Sequence, residues 1–431
     1  MKRIVAGVAI ALGSLAAWAQ SPVPRPIVLH AARMLDVAGG KIVSPGEVLV
    51  TGERIVAAGT HVERPANVEV IDLGDRTLLP GLIDAHVHLF LHPGVEDLQT
   101  IEESVAQRVI LAEVAAKADL MAGFTAERDM GTEGAGSAST AVRNAIDAGL
   151  IPGPRMRMSG NAIDVTGGHE DAIGYNPAAH VPSNADYADS ANDLVRVMRQ
   201  QHKEGADFAK IYETGPDSLK DGVLTAPYQY SEAELHAAVV ESTRFAGGLP
   251  NAMGVAVHCT GEPAAGFAVD AGVASVDHAY FLSDRTMAEM KSKRVYAVPT
   301  FAITEYFGDH PETAGAGDGF KAMQAFHVAQ FKRQLAAGVP FAVGSDVGPF
   351  PHGTQARELV LMVQYGMGTA DVLRADLLNG ASLLGWAGQI GELKAGFYAD
   401  IIAVEGNPLE DVSALTKVDL VMKNGSVYRR P

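Results

Sequence analysis

The sequence lacks the features that stabilise small secreted domains or bind polyanions. Its 431 residues include one cysteine, Cys259, so no intrachain disulfide can form. A chain of this length has enough core to fold without one. The formal charge is −17, from 34 lysines and arginines against 51 aspartates and glutamates, and no basic cluster offsets it. The sequence therefore argues against nucleic acid or an anionic membrane surface as a partner.

The first residues, MKRIVAGVAIALGSLAAWAQ, predict a secretory signal peptide over 1–19. Lys2 and Arg3 form a basic start, an apolar run follows, and Ala17-Trp18-Ala19 fits the cleavage rule. A membrane anchor is the alternative, but the run is shorter than the roughly 18–20 apolar residues needed to span. We expect a soluble mature protein that is periplasmic or secreted and has no membrane partner.

The chain divides into β-rich ends and a long alternating middle. Residues 20–82 and 391–431 contain short strand-like segments, and Asn424-Gly425 predicts a type I′ hairpin turn. We therefore predict a small β-sandwich domain built from both chain ends. Residues 83–390 alternate strand-like and helix-like segments, which predicts an α/β fold of the (β/α)8 TIM barrel type. A doubly wound sheet is the alternative. The predicted barrel strands are LIDAHVHL, FTAERDM, RMRMSGNAI, DFAKIYE, GVAVHC, ASVDHAY, VYAVPTF and PFAVGSD.

Polar side chains stand at or near the ends of several predicted strands. His86 and His88 alternate with Val87, so both rings lie on one face of the first strand. The later strands carry Lys210, His258, His278 and Asp346. Each residue taken singly is more often a hydrogen-bonded core or loop group. Six on five strands of one barrel predict a metal centre, and nitrogen and carboxylate ligands suit zinc or another first-row divalent ion.

Lys210 is the unusual member, because it lies in the apolar strand DFAKIYE. Burial disfavours the ammonium form and lowers a lysine pKa. A neutral lysine can form a Schiff base with a carbonyl substrate, or it can add carbon dioxide to become an anionic carbamate. The histidines and Asp346 at neighbouring strand ends favour the carbamate, which two cations would stabilise.

Four segments, two of which contain His86, His88 and Asp346, resemble motifs of the metal-dependent amidohydrolase superfamily. The motifs are LLPGLIDAHVHL, GFTAERDMG, VGSD and ADIIAVEGNPLEDVSAL. The resemblance implies the binuclear subtype, with two divalent ions, zinc being the expected metal. It also implies that His86, His88 and Asp346 bind one ion, that His258 and His278 bind the other, and that N-carboxylated Lys210 and a hydroxide bridge both. Attack by the hydroxide would cleave an amide, with Asp346 transferring the proton.

Within the superfamily, the chain resembles the prolidase-like branch, which includes Xaa-Pro dipeptidases and ochratoxin-hydrolysing amidohydrolases. The resemblance implies cleavage of dipeptides or N-acyl amino acids with a free C-terminal carboxylate, and a large homo-oligomer, such as an octamer. Tyr212 shares a strand face with Lys210 and would bind the substrate carboxylate. His169, in DVTGGHED, would polarise the carbonyl or hold the substrate. Residues 164–190, 213–230 and 302–318 are predicted as long loops that build the pocket, and Tyr228, Tyr230, Phe301, Tyr306 and Phe307 are predicted to form its aromatic wall.

Other functions compete with this one. A cyclic-amide hydrolase, a lactonase or an organophosphate hydrolase would use the same metal centre. A mononuclear deaminase would lack the bridging lysine. A barrel without metal would serve only as a binding protein, although all six ligand positions are filled here.

Overall fold

The computed structural model describes residues 25–176, 178, 181–245, 254–314 and 317–431. The predicted signal peptide over 1–19 lies outside this range. Within the described ranges, no helix combines the length and the apolar character needed to cross a membrane.

The strands are short and are concentrated at the two ends and in an inner layer of the middle region. In chain order they are β1 Ile27–Ala31, β2 Arg33–Asp36, β3 Lys41–Val43, β4 Gly46–Thr51, β5 Arg54–Gly59, β6 Glu69–Asp72, β7 Arg76–Pro80, β8 Leu82–Val87, β9 Phe124–Asp129, β10 Arg155–Met158, β11 Ala162–Asp164, β12 Ala185–Tyr187, β13 Ala209–Tyr212, β14 Ser218–Lys220, β15 Val223–Thr225, β16 Val255–Cys259, β17 Ser275–His278, β18 Tyr296–Val298, β19 Ile401–Glu405, β20 Val418–Lys423 and β21 Ser426–Arg429.

The helices occur between the strands of the middle region and after it. They are α1 Glu96–Glu102, α2 Val105–Met121, α3 Ala138–Asp147, α4 Ala191–Lys203, α5 Glu232–Phe245, α6 Ala264–Ala271, α7 Asp284–Lys293, α8 Phe301–Asp309, α9 Pro311–Ala314, α10 Gly317–Ala337, α11 Arg357–Gln364, α12 Thr369–Arg374 and α13 Gly380–Leu383. A π-helical turn, Ala375–Asn379, joins α12 to α13, and a 3-10 turn spans Val412–Thr416.

The two chain ends meet in one β region. A six-stranded sheet has the order β21-β20-β19-β7-β2-β3, so it contains strands from both ends, and β7 pairs antiparallel with β19. A four-stranded sheet, β5-β4-β1-β6, shares a hydrophobic cluster with it, in which Leu29 and Val48 pack with Leu78 and Ile401. The hairpin prediction is confirmed, because β20 and β21 are joined by Asn424-Gly425, with φ of 49° and 71°.

The middle region holds parallel strands in two sheets, β10-β9-β8 and β12-β11-β13-β16-β17-β18. From β13 to β18 the sheet order follows the chain, without the reversal that marks a doubly wound sheet. The eighth predicted strand, PFAVGSD, forms only isolated parallel bridges at its ends. Its backbone nevertheless bonds to both sheets, since Ala342 N donates to Ala297 O and Ala85 N donates to Val343 O.

The segment predicted as a loop over 302–318 contains helices α8 and α9 instead. The side chain of Thr300, which precedes α8, does not cap this helix. The buried carboxylate of Glu358 accepts hydrogen bonds from Phe301 N at 3.0 Å and Ala302 N at 2.7 Å. A carboxylate at the first turn satisfies free amides and interacts favourably with the helix dipole. The loop prediction was wrong because this capping group lies more than fifty residues away in the sequence.

Candidate metal centre and substrate cavity

The six predicted metal-ligand residues line one cavity of about 330 Å³. They come from five separate strand ends, as the alternation of polar and apolar residues predicted. His86 and Lys210 belong to β8 and β13, His258 and His278 to β16 and β17, and His88 follows β8. Asp346 comes from the irregular segment after Phe341. In β13, Lys210 and Tyr212 line the cavity, whereas Ala209 and Ile211 pack in the hydrophobic core.

Three donor atoms converge at the base of the cavity. His86 Nε2 and His88 Nε2 are 3.3 Å apart, and Asp346 Oδ1 lies 3.4 Å from the first and 3.3 Å from the second. Zinc binds histidine nitrogen and carboxylate oxygen at about 2.0–2.2 Å, so a cation fits between these atoms. Burial lowers the pKa of His86 to about 4, which keeps its ring neutral and able to donate a lone pair.

The rings are fixed on their far sides. His86 Nδ1 lies 2.8 Å from Asp277 Oδ2, and His278 Nδ1 lies 2.8 Å from Thr300 Oγ1. His88 Nδ1 lies 3.0 Å from Glu133 Oε1. Partners of this kind set the tautomer and orientation of a metal-binding histidine. They leave the Nε2 atoms of His86 and His88 facing Asp346.

A second group of donors lies beside the first. The rings of His258 and His278 are 4.3 Å apart, and His278 is 5.2 Å from His86. Within the described part of the chain, His258 Nε2 is buried and has no hydrogen-bond partner. Lys210 is 1% exposed, and burial lowers its pKa. A free imidazole nitrogen and a lysine shifted towards its neutral form are suitable ligands for a second ion.

The backbone is strained at two of these residues. His278 has φ of 72° and Asp346 has φ of 63°, both in the left-handed region. Such conformations cost on the order of 1–3 kcal/mol and are common at functional sites. Asp346 N donates to His86 O at 2.8 Å, which ties the strained segment to β8. These backbone conformations therefore help to direct the side chains of His278 and Asp346 into the cavity.

The two predicted substrate residues also lie in the cavity. The His169 ring stacks on Tyr212 at 5.1 Å and lies 4.2 Å from His258. Burial lowers the pKa of His169 to about 4. Burial and the nearby Glu133 and Glu170 raise the pKa of Tyr212 well above its usual value, and Tyr212 shares a hydrogen bond with Glu170.

The predicted aromatic wall is largely wrong. Phe307 lines the cavity, together with Tyr280 and Phe320, which were not predicted. Phe301 is buried against Phe331, and the Tyr230 hydroxyl donates to Ala188 O at 2.9 Å. Tyr228 and Tyr306 are also absent from the cavity lining. For Phe301, Tyr306 and Phe307 the difference follows from α8, because a helix directs successive side chains to different sides.

Several residues at the site were missed by the sequence analysis. Asp277 and Arg128 form a buried pair behind His86, with Arg128 Nη2 at 3.1 Å from Asp277 Oδ2. Glu96, Glu133 and Glu170 form an acidic group whose carboxylate oxygens lie within 4.8 Å of one another. Neither group forms a local motif, because each joins residues from different elements that are far apart in the sequence.

Comparison with known proteins agrees with this geometry. The amidohydrolase family profile matches residues 77–428. An ochratoxinase from Aspergillus niger is 29% identical over 387 residues, covering 82% of this chain and 76% of that protein. A solved Xaa-Pro dipeptidase with bound methionine has a TM-score of 0.83 and 29% identity, covering 94% of this chain and all of that one. A prolidase complexed with N-methylphosphonate-L-proline has a TM-score of 0.82 and 25% identity, with coverage of 94% and 100%.

The chain belongs to the amidohydrolase family, and its relatives match the prolidase-like branch of that superfamily. It is a hydrolytic enzyme, and the likeness supports amide hydrolysis as the general reaction. The fold of its neighbours implies a TIM barrel. Family members are generally metal-dependent, and His86, His88 and Asp346 form a candidate metal site.

Proposed function

We propose that this protein is a binuclear metal hydrolase that cleaves the amide bond of dipeptides or N-acyl amino acids with a free C-terminal carboxylate. One observation carries the proposal: the donor atoms of His86, His88 and Asp346 converge in the same cavity as buried Lys210 and the unpartnered His258. The substrates named for the relatives, ochratoxin and Xaa-Pro dipeptides, all contain an amide next to a carboxylate-bearing residue.

Lys210 is proposed to be N-carboxylated. Its neutral amine would add carbon dioxide and release a proton, giving an anionic carbamate. Lys210 is buried and its pKa is lowered, which favours the reactive neutral amine. With Asp346, the carbamate would partly balance the charge of two divalent ions, since neutral histidines contribute none.

His86, His88 and Asp346 would hold one divalent ion, His258 and His278 would hold another, and carboxylated Lys210 would be a further ligand. When bound, such ions, zinc being expected, would supply an activated water molecule and a Lewis acid for the scissile carbonyl. Burial opposes ionisation of Asp346, but the hydrogen bond and the charge of His88, whose own pKa is raised, lower the pKa of Asp346 well below the usual value. Asp346 is therefore an unprotonated carboxylate, the form that a metal ligand and a proton acceptor must have, and in the proposed reaction it would take the proton of the attacking water and transfer it to the leaving amine.

The residues that hold the substrate remain predictions. His169, neutral through burial, would donate a hydrogen bond to the carbonyl or hold the substrate beside the metal ligands. Tyr212 would bind the substrate carboxylate through its hydroxyl, which in the free protein is bonded to Glu170. Its role therefore requires that the hydroxyl exchange Glu170 for the substrate.

The architecture proposed for this function is a closed (β/α)8 barrel that carries a β-sandwich. Support for closure comes from both joins between the parallel sheets. At one join, segment 341–347 bonds to β18 and β8, and at the other, Asp207 N donates to Met158 O at 2.7 Å. The shared hydrophobic cluster of the terminal sheets supports the sandwich.

We further propose that residues 1–19 direct export of the protein to the periplasm or medium.

We also propose that the protein forms a homo-oligomer. An exposed apolar stripe supports this proposal. Ile110 and Val114 lie one turn apart on α2 and are each 63% exposed. Size-exclusion chromatography with light scattering would test it, and a monomeric mass would contradict it.

A substrate panel tests the proposed reaction. Zinc-loaded mature protein should hydrolyse dipeptides or N-acyl amino acids and release free amino acid, measured by mass spectrometry. The panel should also contain cyclic amides, lactones and phosphotriesters, which the same metal centre could cleave. Activity restricted to any of those three classes would refute the proposed substrate, and no activity on any class would favour a binding protein.

A further inference from the structure

An acidic group borders the substrate cavity beside the metal-ligand residues. It consists of Glu96 at the start of α1, Glu133 after β9 and Glu170 after β11. One carboxylate oxygen from each lies within 4.8 Å of those of the other two. Glu96 and Glu170 line the cavity. We call these three residues the acidic trio.

Glu133 is the buried member of the trio, and its carboxylate has hydrogen-bonding capacity that the described residues do not use. Glu133 is fully buried, and its Oε1 lies 3.0 Å from His88 Nδ1. Among the described residues, its Oε2 has no hydrogen-bond partner. A buried carboxylate without a partner is costly. This oxygen can therefore accept a hydrogen bond from a group that binds among the three carboxylates.

The neighbouring basic side chain does not supply that donor. Arg108 is buried close to the trio but donates to backbone oxygens of Phe90, Thr132 and Glu133. Glu170 accepts from the neutral Tyr212 hydroxyl. The trio thus borders the substrate cavity, and although burial raises the pKa of Glu96 to about 8 and that of Glu170 above its usual value, a cation bound among the three oxygens would favour their ionised form. The complementary ligand group is a small cation with several donors.

We propose that the acidic trio binds the free α-ammonium group of a dipeptide substrate. An ammonium group has three N–H donors, one for each carboxylate. Donor–acceptor distances near 2.8 Å in a tetrahedral arrangement would put the three oxygens about 4.6 Å apart, and the oxygens of the trio, all within 4.8 Å of one another, are close enough to share one such group. This inference rests on the proposed amide hydrolysis and narrows its substrates to dipeptides with an unblocked N-terminus.

The position of the trio fits this role. His88 links the two sites, because its Nε2 faces His86 and Asp346 while its Nδ1 faces Glu133. In a dipeptide, one Cα separates the ammonium nitrogen from the scissile carbonyl carbon. An ammonium group in the trio therefore keeps the adjacent carbonyl beside the metal ligands. A longer peptide would present its scissile bond too far from its ammonium group to use both sites.

A matched pair of substrates tests the proposal. Alanyl and propionyl derivatives of the same amino acid differ only in the ammonium group. The amino acid should be the one that the substrate panel shows to be released fastest. Wild-type metal-loaded protein should cleave the alanyl derivative with the higher kcat/KM. In Glu96→Gln and Glu170→Gln variants, the alanyl-to-propionyl ratio of kcat/KM should fall about 10- to 100-fold, as expected for loss of a hydrogen bond to a charged group.

Glu102→Gln is the matched control, because Glu102 lies on the same helix α1 as Glu96 but is exposed. It should leave the ratio unchanged. Equal cleavage of both derivatives by wild type, or an unchanged ratio in both trio variants, would overturn the inference while leaving amide hydrolysis intact. Cleavage of neither derivative would overturn the proposed function as well. Loss of one metal equivalent per chain from both trio variants, measured by elemental analysis, would show that the trio binds a metal ion instead.

Discussion

The Asp277→Asn variant tests whether the buried pair behind His86 holds the metal site in place. Asp277 is fully buried, and its Oδ2 lies 2.8 Å from His86 Nδ1 and 3.1 Å from Arg128 Nη2. Arg128 is 1% exposed and also donates to Ala85 O at 2.6 Å. Replacement by asparagine keeps the shape of the side chain but removes its negative charge.

The expected loss has two parts. Leaving Arg128 as an uncompensated buried charge should lower the free energy of unfolding by about 3–5 kcal/mol. Loss of the carboxylate partner of His86 should weaken metal binding by about 10- to 100-fold. Urea unfolding of the metal-free protein measures the first effect, and competition for zinc with a fluorescent chelator measures the second.

The control is Asp270→Asn, which removes a carboxylate that pairs with Arg285 at the surface. Surface pairs contribute little, so this variant should match wild type in both assays. If Asp277→Asn also matched wild type in zinc affinity, Asp277 would not be orienting His86. If the free energy of unfolding of Asp277→Asn were unchanged, another group would compensate the charge of Arg128. The proposed role of the buried pair would then be refuted.

The other predictions concern the proposed ligands and a buried lysine of the β region. Lys210→Ala should lose metal and activity, and a short carboxylic acid with bicarbonate should partly restore both; full activity without rescue would contradict the carbamate. Asp346→Asn should lower kcat by about 100- to 10,000-fold while some metal stays bound, and full activity would refute the proton-transfer role. Lys423 donates to Gly153 O at 2.7 Å, and burial lowers its pKa from 10.5 to about 8. Its charge therefore destabilises the fold by about 3 kcal/mol below pH 8, and this penalty fades as the pH rises to 10.5. The difference in unfolding free energy between wild type and Lys423→Met should follow that curve, and a pH-independent difference would contradict it.

The placement of the candidate ligand residues at the strand ends was predictable because it depends on local alternation. His86 and His88 share a face with Val87 between them, and Lys210 alternates with the core residues Ala209 and Ile211. Such patterns survive in a single sequence, because the position of each side chain follows from the strand that carries it. The union of both chain ends in one β region was predictable for the same reason.

The groups around the ligands were not predictable in this way. Asp277 directly precedes His278, so regular alternation would direct them to opposite faces. The positive φ of His278 breaks that alternation, and Asp277 contacts His86 while His278 lines the cavity. The acidic trio joins a helix start and two loops, and Glu358 caps α8 from a distant helix. These contacts depend on the tertiary fold rather than on any nearby residue.

Elemental analysis of the purified chain, combined with amide cleavage before and after chelation, tests the central claim most directly. The account predicts two divalent ions per chain, loss of amide cleavage when they are removed, and recovery when zinc is returned. A chain that holds less than one ion and still cleaves the amide at the same rate would contradict it.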